Sequence, residues 1–408
     1  MSDKTVIAIL IDALRHDFIT PENMPFLDSL KKKAFYGSLE EPFGFVPRAA
    51  IFAGLSPEQS GYLSYYGYRP PVAPFRWFSH WPRAGHGLSR RVFEGLLNWR
   101  KVLGLNENTF LSVPRQWDDF SCRLDVMERF PPYDARFLTQ KTLFDALREK
   151  GASWCYLGYP RTRQTTSFLE KHFYRVYKER DSFIWVHFSE VDWAMHQYGP
   201  DSKRTAEKLQ RIDGAIERMA AHATKKGGRP ISLLVFGDHG ATAVTKTVDI
   251  QAVLRKKEAA IRSMADYYAD STLLYLWCRN KKEGATLDRL LQTLQDEGMG
   301  RLISAEQRSR YGIRFKTPWY GTHLFIAPPG TLFLPNIFQA EKQVMGMHGY
   351  LPDDADNRAA FLLASPDLQQ TGKSGKAVPM VDICPTLAKL LSVEMDERAM
   401  TGKVMDCL

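Results

Sequence analysis

Three short apolar runs, each followed by acidic residues, organise the chain. The runs cover residues 6–10, 183–188 and 231–236. Short apolar runs rich in branched and aromatic side chains are typical of strands buried on both faces of a parallel sheet. Asp12, Asp192 and Asp238 follow these runs closely. We therefore predict three buried strands that deliver carboxylates to one edge of a sheet.

The segments between these runs alternate between helical spacing and further short apolar runs. Helices are predicted for residues 25–33, 137–150, 203–221 and 380–391, strands for residues 154–159 and 361–364, and a turn for residues 37–42. Strands that alternate with helices predict an α/β fold with a mostly parallel sheet. Ligands bind such sheets outside the carboxyl ends of the strands, where the acidic residues are expected.

Two segments depart from this alternation. Residues 62–137 form a basic aromatic insertion, and Glu94 is the only acid between residues 62 and 103. Residues 249–345 are less regular and are predicted as a cap-like insertion. No low-complexity linker separates these segments from the rest. We therefore predict one domain over residues 1–408 that carries both insertions.

Composition and charge limit the class of protein. Hydrophobic residues make up 44% and charged residues 25% of the 408 residues, which is ordinary for a globular protein. No apolar run approaches the ~20 residues of a membrane span, and the apolar stretch near the start is too short for a secretory signal. The five cysteines are odd in number and widely spaced, which argues against a disulfide framework or a cysteine zinc site. We expect a cytoplasmic protein.

The formal net charge of +9 favours anionic partners. The basic aromatic residues 69–101 fit three hypotheses. They could bind nucleic acid through stacking and phosphate contacts, or an anionic membrane or lipid-linked phosphate, or they could simply cover a substrate. Charge alone does not choose among a phosphate-bearing small molecule, a lipid-linked substrate and nucleic acid, and nothing in the sequence indicates an oligomeric state.

Carboxylates and imidazoles recur in a pattern that predicts metal binding. The residues concerned are Asp12, Asp192, His196, Asp238, His239 and His348. Asp192 and His196 meet if their segment is one helical turn, and the glycines around Asp238 and His239 permit a tight turn. Mixed carboxylate and imidazole ligands suit zinc, manganese or iron. Each element alone would also fit a turn, a helix cap or a buried structural histidine.

The order of these motifs resembles the alkaline phosphatase superfamily, and specifically its type I phosphodiesterase/nucleotide pyrophosphatase branch. That branch has an Asp after its first strand, an Asp-x-x-x-His-x-x-Gly-Pro segment, an Asp-His pair and a late Gly-x-His-Gly. The chain has Asp12, then Asp192 to Pro200, then Asp238-His239, then Gly346 to Gly349. The resemblance implies a three-layer α/β fold with helices on both faces of the sheet.

The resemblance also implies two divalent metal ions and the hydrolysis of a phosphodiester or phosphate monoester. One ion would be held by Asp192, His196 and His348, and the other by Asp12, Asp238 and His239. Such a pair, about 4 Å apart, clamps the attacking and leaving oxygens of an in-line displacement. The ligand set predicts zinc, with manganese as the substitute. Arg48 would hold a phosphoryl oxygen where the branch often has an Asn.

The chain departs from the family at the nucleophile. The family attacks phosphorus with a Thr or Ser that lies just before a Pro, yet no Ser, Thr, Cys or Tyr stands between Leu39 and Leu55. Gly44, Phe45 and Val46 occupy this neighbourhood. Three hypotheses remain: attack by a metal-bound hydroxide, attack by a hydroxyl from outside the stretch such as Ser38 or Ser56, or phosphate binding without turnover.

Other function classes are weighed against the same residues. A phosphoryl or nucleotidyl transferase fits the fold, but a mutase needs the covalent step that the missing hydroxyl puts in doubt. A sulfatase needs a Cys or Ser nucleophile motif, which this chain lacks. A phosphoryl-ligand-binding pseudoenzyme that keeps its metals is the alternative outside the enzymes.

Overall fold

The structure is a computed structural model. It describes residues 4–74, 76, 92, 121–159, 164–256, 264–339 and 341–408. Most of the basic aromatic segment 69–101 therefore lies outside the described residues. The structure does not test the three hypotheses made for this segment.

Eleven helices and eighteen strands make up the regular structure of the described residues. The helices are α1 Pro25–Leu30, α2 Arg48–Ala53, α3 Pro57–Ser60, α4 Leu143–Glu149, α5 Thr166–Val176, α6 Glu190–Tyr198, α7 Lys203–Gly227, α8 Ile250–Lys256, α9 Gly284–Asp296, α10 Ala305–Arg310 and α11 Ile383–Leu391. The strands are β1 Thr5–Ile11, β2 Phe35–Glu40, β3 Tyr66–Tyr68, β4 Leu124–Val126, β5 Trp154–Leu157, β6 Phe183–Phe188, β7 Ile231–Phe236, β8 Thr242–Ala243, β9 Lys246–Asp249, β10 Ala265–Ala269, β11 Leu273–Cys278, β12 Arg301–Leu302, β13 His323–Ile326, β14 Thr331–Leu334, β15 Gly346–Met347, β16 Ala359–Ala364, β17 Gly372–Lys373 and β18 Val378–Pro379.

The central sheet has the strand order β17-β2-β16-β7-β1-β6-β5, and β18 pairs with β2. Strands β7, β1, β6 and β5 run parallel, whereas β16 is antiparallel to both β7 and β2. The three predicted apolar strands are thus β1, β6 and β7, and they are direct neighbours. Their carboxyl ends meet at one edge of the sheet.

Alternate residues of β1 pack into two different hydrophobic cores. Val6 lies in one core with Phe144 of α4, and Ile7 lies in the other with Ile212 of α7. Every residue of β1 is buried because helices cover both faces of the sheet. The predicted mostly parallel α/β fold, with helices on both faces, is confirmed.

Two predicted elements are wrong. Only residues 143–149 of the predicted helix 137–150 are helical, because Thr142 caps the helix and forms a capping box with Asp145. The predicted turn at residues 37–42 is mostly strand β2, which pairs along its length with β16. Gly37 serves close packing there, since a Cβ on it would lie 3.2 Å from the ring of Phe361.

A second sheet lies within residues 249–345. It is antiparallel, with the order β10-β11-β13-β12, and helix α9 packs in the same hydrophobic core as its strands. The description of residues 62–137 and 249–345 as insertions stays a prediction. Among the described residues, no helix has the length and apolar character needed to cross a membrane.

Candidate metal centre

The predicted site residues, with the exception of His196, line one cavity at the carboxyl edge of the central sheet. Its volume is about 290 Å³. It is lined by Leu10, Asp12, Phe45, Pro47, Arg48, Ile51, Phe52, Tyr156, Tyr159, Gln164, Trp185, His187, Asp192, Asp238, His239 and His348. Strand β1 leads to Asp12, β6 carries Trp185 and His187, and β7 leads to Asp238. The parallel arrangement of these strands therefore explains why the carboxylates converge.

Asp192 is the centre of the first group of candidate ligands. Its Oδ1 lies 3.2 Å from His196 Nε2 and 3.9 Å from His348 Nε2. Asp192 and His196 are one turn apart on α6, as the four-residue spacing predicted. His196 Nδ1 donates a hydrogen bond to the Gly346 carbonyl at 2.8 Å, which leaves Nε2 facing Asp192.

Asp12, Asp238 and His239 form the second group. His239 Nε2 lies 3.3 Å from Asp12 Oδ1 and 3.8 Å from Asp238 Oδ1. Ala13 adopts a left-handed conformation with φ of 62°, and its N–H donates to Asp238 Oδ1 at 3.2 Å. A left-handed alanine costs energy, and here it directly follows a candidate ligand. Gly240 must lack a Cβ, which would otherwise lie 2.1 Å from the Asp356 carbonyl oxygen.

The two groups of candidate ligands overlap in the structure. Ligand atoms of Asp192, His239 and His348 lie within 4.8 Å of one another, and so do those of Asp12, Asp238 and His239. His239 therefore belongs geometrically to both groups, whereas the resemblance placed it in one. The structure brings five of the six predicted metal ligands into these two groups, and the sixth, His196, lies beside Asp192. Their role as ligands stays a prediction.

The electrostatics of this cluster fit a cation. Burial and the nearby charge of Asp12 raise the pKa of Asp238 to about 6. Burial also lowers the pKa of His348 well below its ordinary value, which favours the neutral imidazole that a metal requires. Asp192 Oδ1 is buried and accepts no hydrogen bond from any described residue. Buried carboxylates this close together are stabilised by a bound cation, so the residues fit a metal pair.

Asp12 and His239 stabilise each other's charged forms. Burial would raise the pKa of Asp12, but the nearby imidazoles of His187 and His239 lower it below its ordinary range. Burial would likewise lower the pKa of His239, but Asp238 and Asp12 raise it well above its ordinary value. The carboxylate form of Asp12 is therefore available as a ligand across the physiological pH range.

Arg48 lines the cavity from the first turn of α2. Its Nη1 lies 3.1 Å from Oε2 of Glu128, a residue that is fully buried. Burial raises the pKa of Glu128, although the charge of Arg48 opposes this. Glu128 anchors the guanidinium at the cavity wall, and sequence reasoning missed it because the two residues are distant along the chain.

The segment expected to supply a hydroxyl supplies an aromatic ring instead. The ring centroid of Phe45 lies 5.5 Å from that of His348, and Phe45 also covers Gly349, where a Cβ would lie 2.4 Å from the ring. Neither Ser38 nor Ser56 lines the cavity; Ser38 is in β2 and Ser56 caps α3. Within the described part of the chain, no serine or threonine lines this cavity.

Sequence reasoning also missed two residues that support the site. Asn357 accepts hydrogen bonds from the N–H groups of Gly349 and Tyr350 at 3.1 and 3.3 Å, and its carbonyl accepts from Gly240 N–H at 2.7 Å. It therefore joins the loops that carry His348 and His239. The other missed residue, His187, lies beside Asp12. A polar residue inside the apolar run 183–188 is the signal that could have identified it.

Comparisons with known proteins agree with this fold. A family model described as type I phosphodiesterase/nucleotide pyrophosphatase matches residues 6–351. Two similar solved structures are murine ectonucleotide pyrophosphatase/phosphodiesterase 5, as an inactive variant in complex with AMP, and its human counterpart. Each has a TM-score of 0.70 and 14% sequence identity, and each match covers 98% of this chain and 97% of the other. A comparison with curated protein sequences finds no significant match.

The family match spans most of the chain, and the structural matches share its overall fold. The predicted resemblance is thereby confirmed at the level of the family. The chain belongs to the type I phosphodiesterase/nucleotide pyrophosphatase family of the alkaline phosphatase superfamily and is a phosphoric ester hydrolase.

Proposed function

We propose that the chain hydrolyses a phosphodiester or phosphate monoester at a pair of divalent metal ions. The ligands would be Asp12, Asp192, His196, Asp238, His239 and His348. The observation that carries this proposal is that two groups of candidate ligands, which share His239, converge on one cavity with Arg48 in the same wall. His196 is in neither group, and its Nε2 lies 3.2 Å from Asp192 Oδ1.

The donor set supports zinc, with manganese as the substitute, because imidazole and carboxylate together suit these ions better than magnesium or calcium. When bound, such a pair lowers the pKa of water and neutralises charge on phosphoryl oxygens. The candidate ligand side chains are only 10–24% exposed, which shields these charges from bulk water. His196 is oriented for binding by its hydrogen bond to the Gly346 carbonyl.

Arg48 is proposed to bind the phosphoryl oxygens of the substrate. A guanidinium can donate two parallel hydrogen bonds to a phosphoryl group and stabilise the charge that develops in the transition state. Glu128, whose Oε2 lies 3.1 Å from Nη1 of Arg48, fixes the position of the guanidinium before substrate binds. We thus propose for Arg48 the catalytic role that the sequence predicted.

Water is proposed as the attacking group. The hydroxyls in the described lining of the cavity belong to Tyr156 and Tyr159, and burial raises the pKa of Tyr156 above its ordinary value. A neutral, buried phenol is a weak nucleophile. Phe45 occupies the segment where the family has its hydroxyl. A single displacement by water is the mechanism that needs no side-chain nucleophile.

The substrate is proposed to carry a phosphate next to an apolar or aromatic group. Phe45, Phe52, Tyr156, Tyr159 and Trp185 line the cavity beside the candidate ligands, and they offer surfaces for stacking or apolar packing. The complex of the murine relative with AMP supports a nucleotide as one such substrate. A lipid-linked phosphate is the other, because the chain is basic and the cavity wall is apolar.

The test of this proposal is hydrolysis of aryl phosphate diesters and monoesters by the purified protein. Zinc or manganese would be added in one series and EDTA in another. We expect turnover that EDTA abolishes and that is lost in Asp192→Ala and Asp238→Ala. Asp296→Ala, at an exposed position on α9, is the matched control and should behave as wild type. Turnover that persists in EDTA, or in both site variants, would contradict the proposal.

A phosphoryl-ligand-binding protein without turnover is the second candidate function. The observation that favours it is the lack of serine and threonine in the described lining of the cavity. Zinc binding without hydrolysis of any aryl ester, of nucleotide diesters or of phospholipid headgroups would favour this function. The cytoplasmic location stays a prediction that fractionation of the native protein would test.

A further inference from the structure

His187 lies between two polar side chains at the edge of the candidate metal centre. Its Nδ1 is 2.9 Å from Gln164 Nε2, and its Nε2 is 3.5 Å from Asp12 Oδ2. Gln164, His187 and Asp12 thus form a chain of side chains that ends on a candidate metal ligand. All three line the same cavity.

The two oxygens of Asp12 face different histidines. Oδ1 faces His239 at 3.3 Å, on the side of the second candidate metal group, and Oδ2 faces His187 at 3.5 Å. The two histidines therefore approach different oxygens of the same carboxylate. Among the described residues, His187 belongs to neither of the two groups of candidate ligands.

We propose that His187, held by Gln164, is a positioning residue that orients the carboxylate of Asp12 for metal binding. This inference rests on the proposed two-metal function and adds a residue that the family resemblance did not assign. Gln164 donates its amide N–H to Nδ1, so Nε2 carries the proton. This buried N–H makes no hydrogen bond with a described residue, and the acceptor that it faces, at 3.5 Å, is Asp12 Oδ2. The other oxygen, Oδ1, would then be the one available to hold a metal ion.

The arrangement has a general physical basis. A carboxylate that binds a metal with one oxygen keeps its orientation when the other oxygen accepts a hydrogen bond, and loss of such a partner typically lowers metal affinity about 10–100-fold. Two neighbouring parallel strands fix the geometry, since Leu10 of β1 pairs with His187 of β6 and Asp12 N–H donates to the Phe188 carbonyl at 2.9 Å. The backbone therefore holds both side chains in register.

The test measures zinc affinity without any substrate. Wild type, His187→Ala, His187→Gln and Gln164→Ala would be titrated with zinc against a chromophoric chelator. We expect wild type to bind two equivalents, and His187→Ala to bind one of them about 10–100-fold more weakly while the other keeps its affinity. His187→Gln, which retains an N–H donor, should recover part of the loss, and Gln164→Ala should show a smaller loss of the same equivalent.

Several results would overturn the inference. Wild-type affinity for both equivalents in His187→Ala, with an unchanged thermal midpoint, would show that His187 does not position Asp12. Complete loss of one equivalent, as expected for Asp238→Ala, would make His187 a metal ligand instead. Wild type that binds fewer than two equivalents would overturn the two-metal function first, and this inference with it.

Two controls keep the test interpretable. His172→Ala changes a histidine that stacks on Phe168 on α5 and should bind zinc as wild type does. If His187→Ala fails to fold, His187→Gln and Gln164→Ala still decide the matter, because equal wild-type affinity in both would contradict the proposed chain of side chains.

Discussion

The imidazole of His239 lies face to face with that of His348, with ring centroids 3.6 Å apart and an angle of 4° between the planes. The resemblance assigned these residues to two different metal ions. Their stacking places the ligand groups side by side at one edge of the sheet. The two groups of candidate ligands therefore adjoin each other in one cluster.

Arg48 is predicted to stabilise the transition state. Arg48→Ala should lower kcat/KM by roughly 10²–10³, because it removes a charge-assisted donor to the phosphoryl oxygens. Arg48→Lys should recover only part of the rate, since an ammonium cannot donate the same pair of hydrogen bonds. Arg218→Ala is the control, because Arg218 pairs with Glu170 on the surface. Unchanged kcat/KM in Arg48→Ala would contradict this role.

The stereochemistry at phosphorus is predicted to invert. One in-line displacement by water inverts the configuration, whereas a covalent phospho-enzyme requires two displacements and retains it. Hydrolysis of a chiral phosphorothioate ester in ¹⁸O-labelled water, followed by configurational analysis of the product, distinguishes the two. Retention would show that a side-chain nucleophile exists, and the water mechanism would then be wrong.

Asn357 is predicted to stabilise both the fold and the metal centre. Asn357→Ala leaves the buried N–H groups of Gly349 and Tyr350 without their acceptor, which should cost about 1–3 kcal/mol for each unsatisfied group. Urea unfolding measures this loss in the free energy of unfolding. Zinc affinity should fall as well, because His348 precedes Gly349. A control at a partly exposed position, Asn23→Ala, should change neither quantity. Equal unfolding curves for Asn357→Ala and wild type would contradict the prediction.

Asp270 is predicted to make the folded state less stable as pH rises. Burial raises its pKa from the ordinary value of 3.8 to about 7, although hydrogen bonds from Tyr275 and from backbone N–H groups oppose the shift. Between these two values the folded protein holds a proton that the unfolded chain has lost. The free energy of unfolding should therefore fall across that range, by up to about 1.4 kcal/mol per pH unit from this group.

Asp270→Asn tests this prediction because it removes the titration and keeps the acceptor for the Leu273 N–H. Relative to wild type, the variant should gain stability steadily as pH rises from about 4 to 7 in EDTA. Asp296→Asn, at an exposed site, should follow wild type throughout. Parallel curves for wild type and Asp270→Asn would show that Asp270 does not titrate in this way.

The sequence predicted the sheet well where burial on both faces leaves a continuous apolar run. Strands β1, β6 and β7 are of this kind. Prediction failed where local signals compete. Thr142 caps α4 and thereby shortens the helix predicted from residue 137, and Gly37 lies inside a strand where a turn was expected. Such choices depend on neighbours that are distant along the chain.

The same limit applies to the site. The spacing of Asp192 and His196 is local, so one helical turn explains their contact. Three supporting residues meet the site only in the folded chain and belong to no local motif with it, so no sequence spacing identifies them. They are Glu128, His187 and Asn357. The family resemblance supplied the predicted ligands, but it could not supply supporting residues that are particular to this chain.

The zinc stoichiometry of the purified protein tests the central claim most directly, because it requires no knowledge of the substrate. Dialysis against zinc followed by metal analysis should find two equivalents in wild type and in Asp296→Ala, and one in each of Asp192→Ala and Asp238→Ala. Circular dichroism would confirm that all four proteins are folded. Fewer than two equivalents in wild type, or two in both site variants, would contradict a two-metal centre built from these residues.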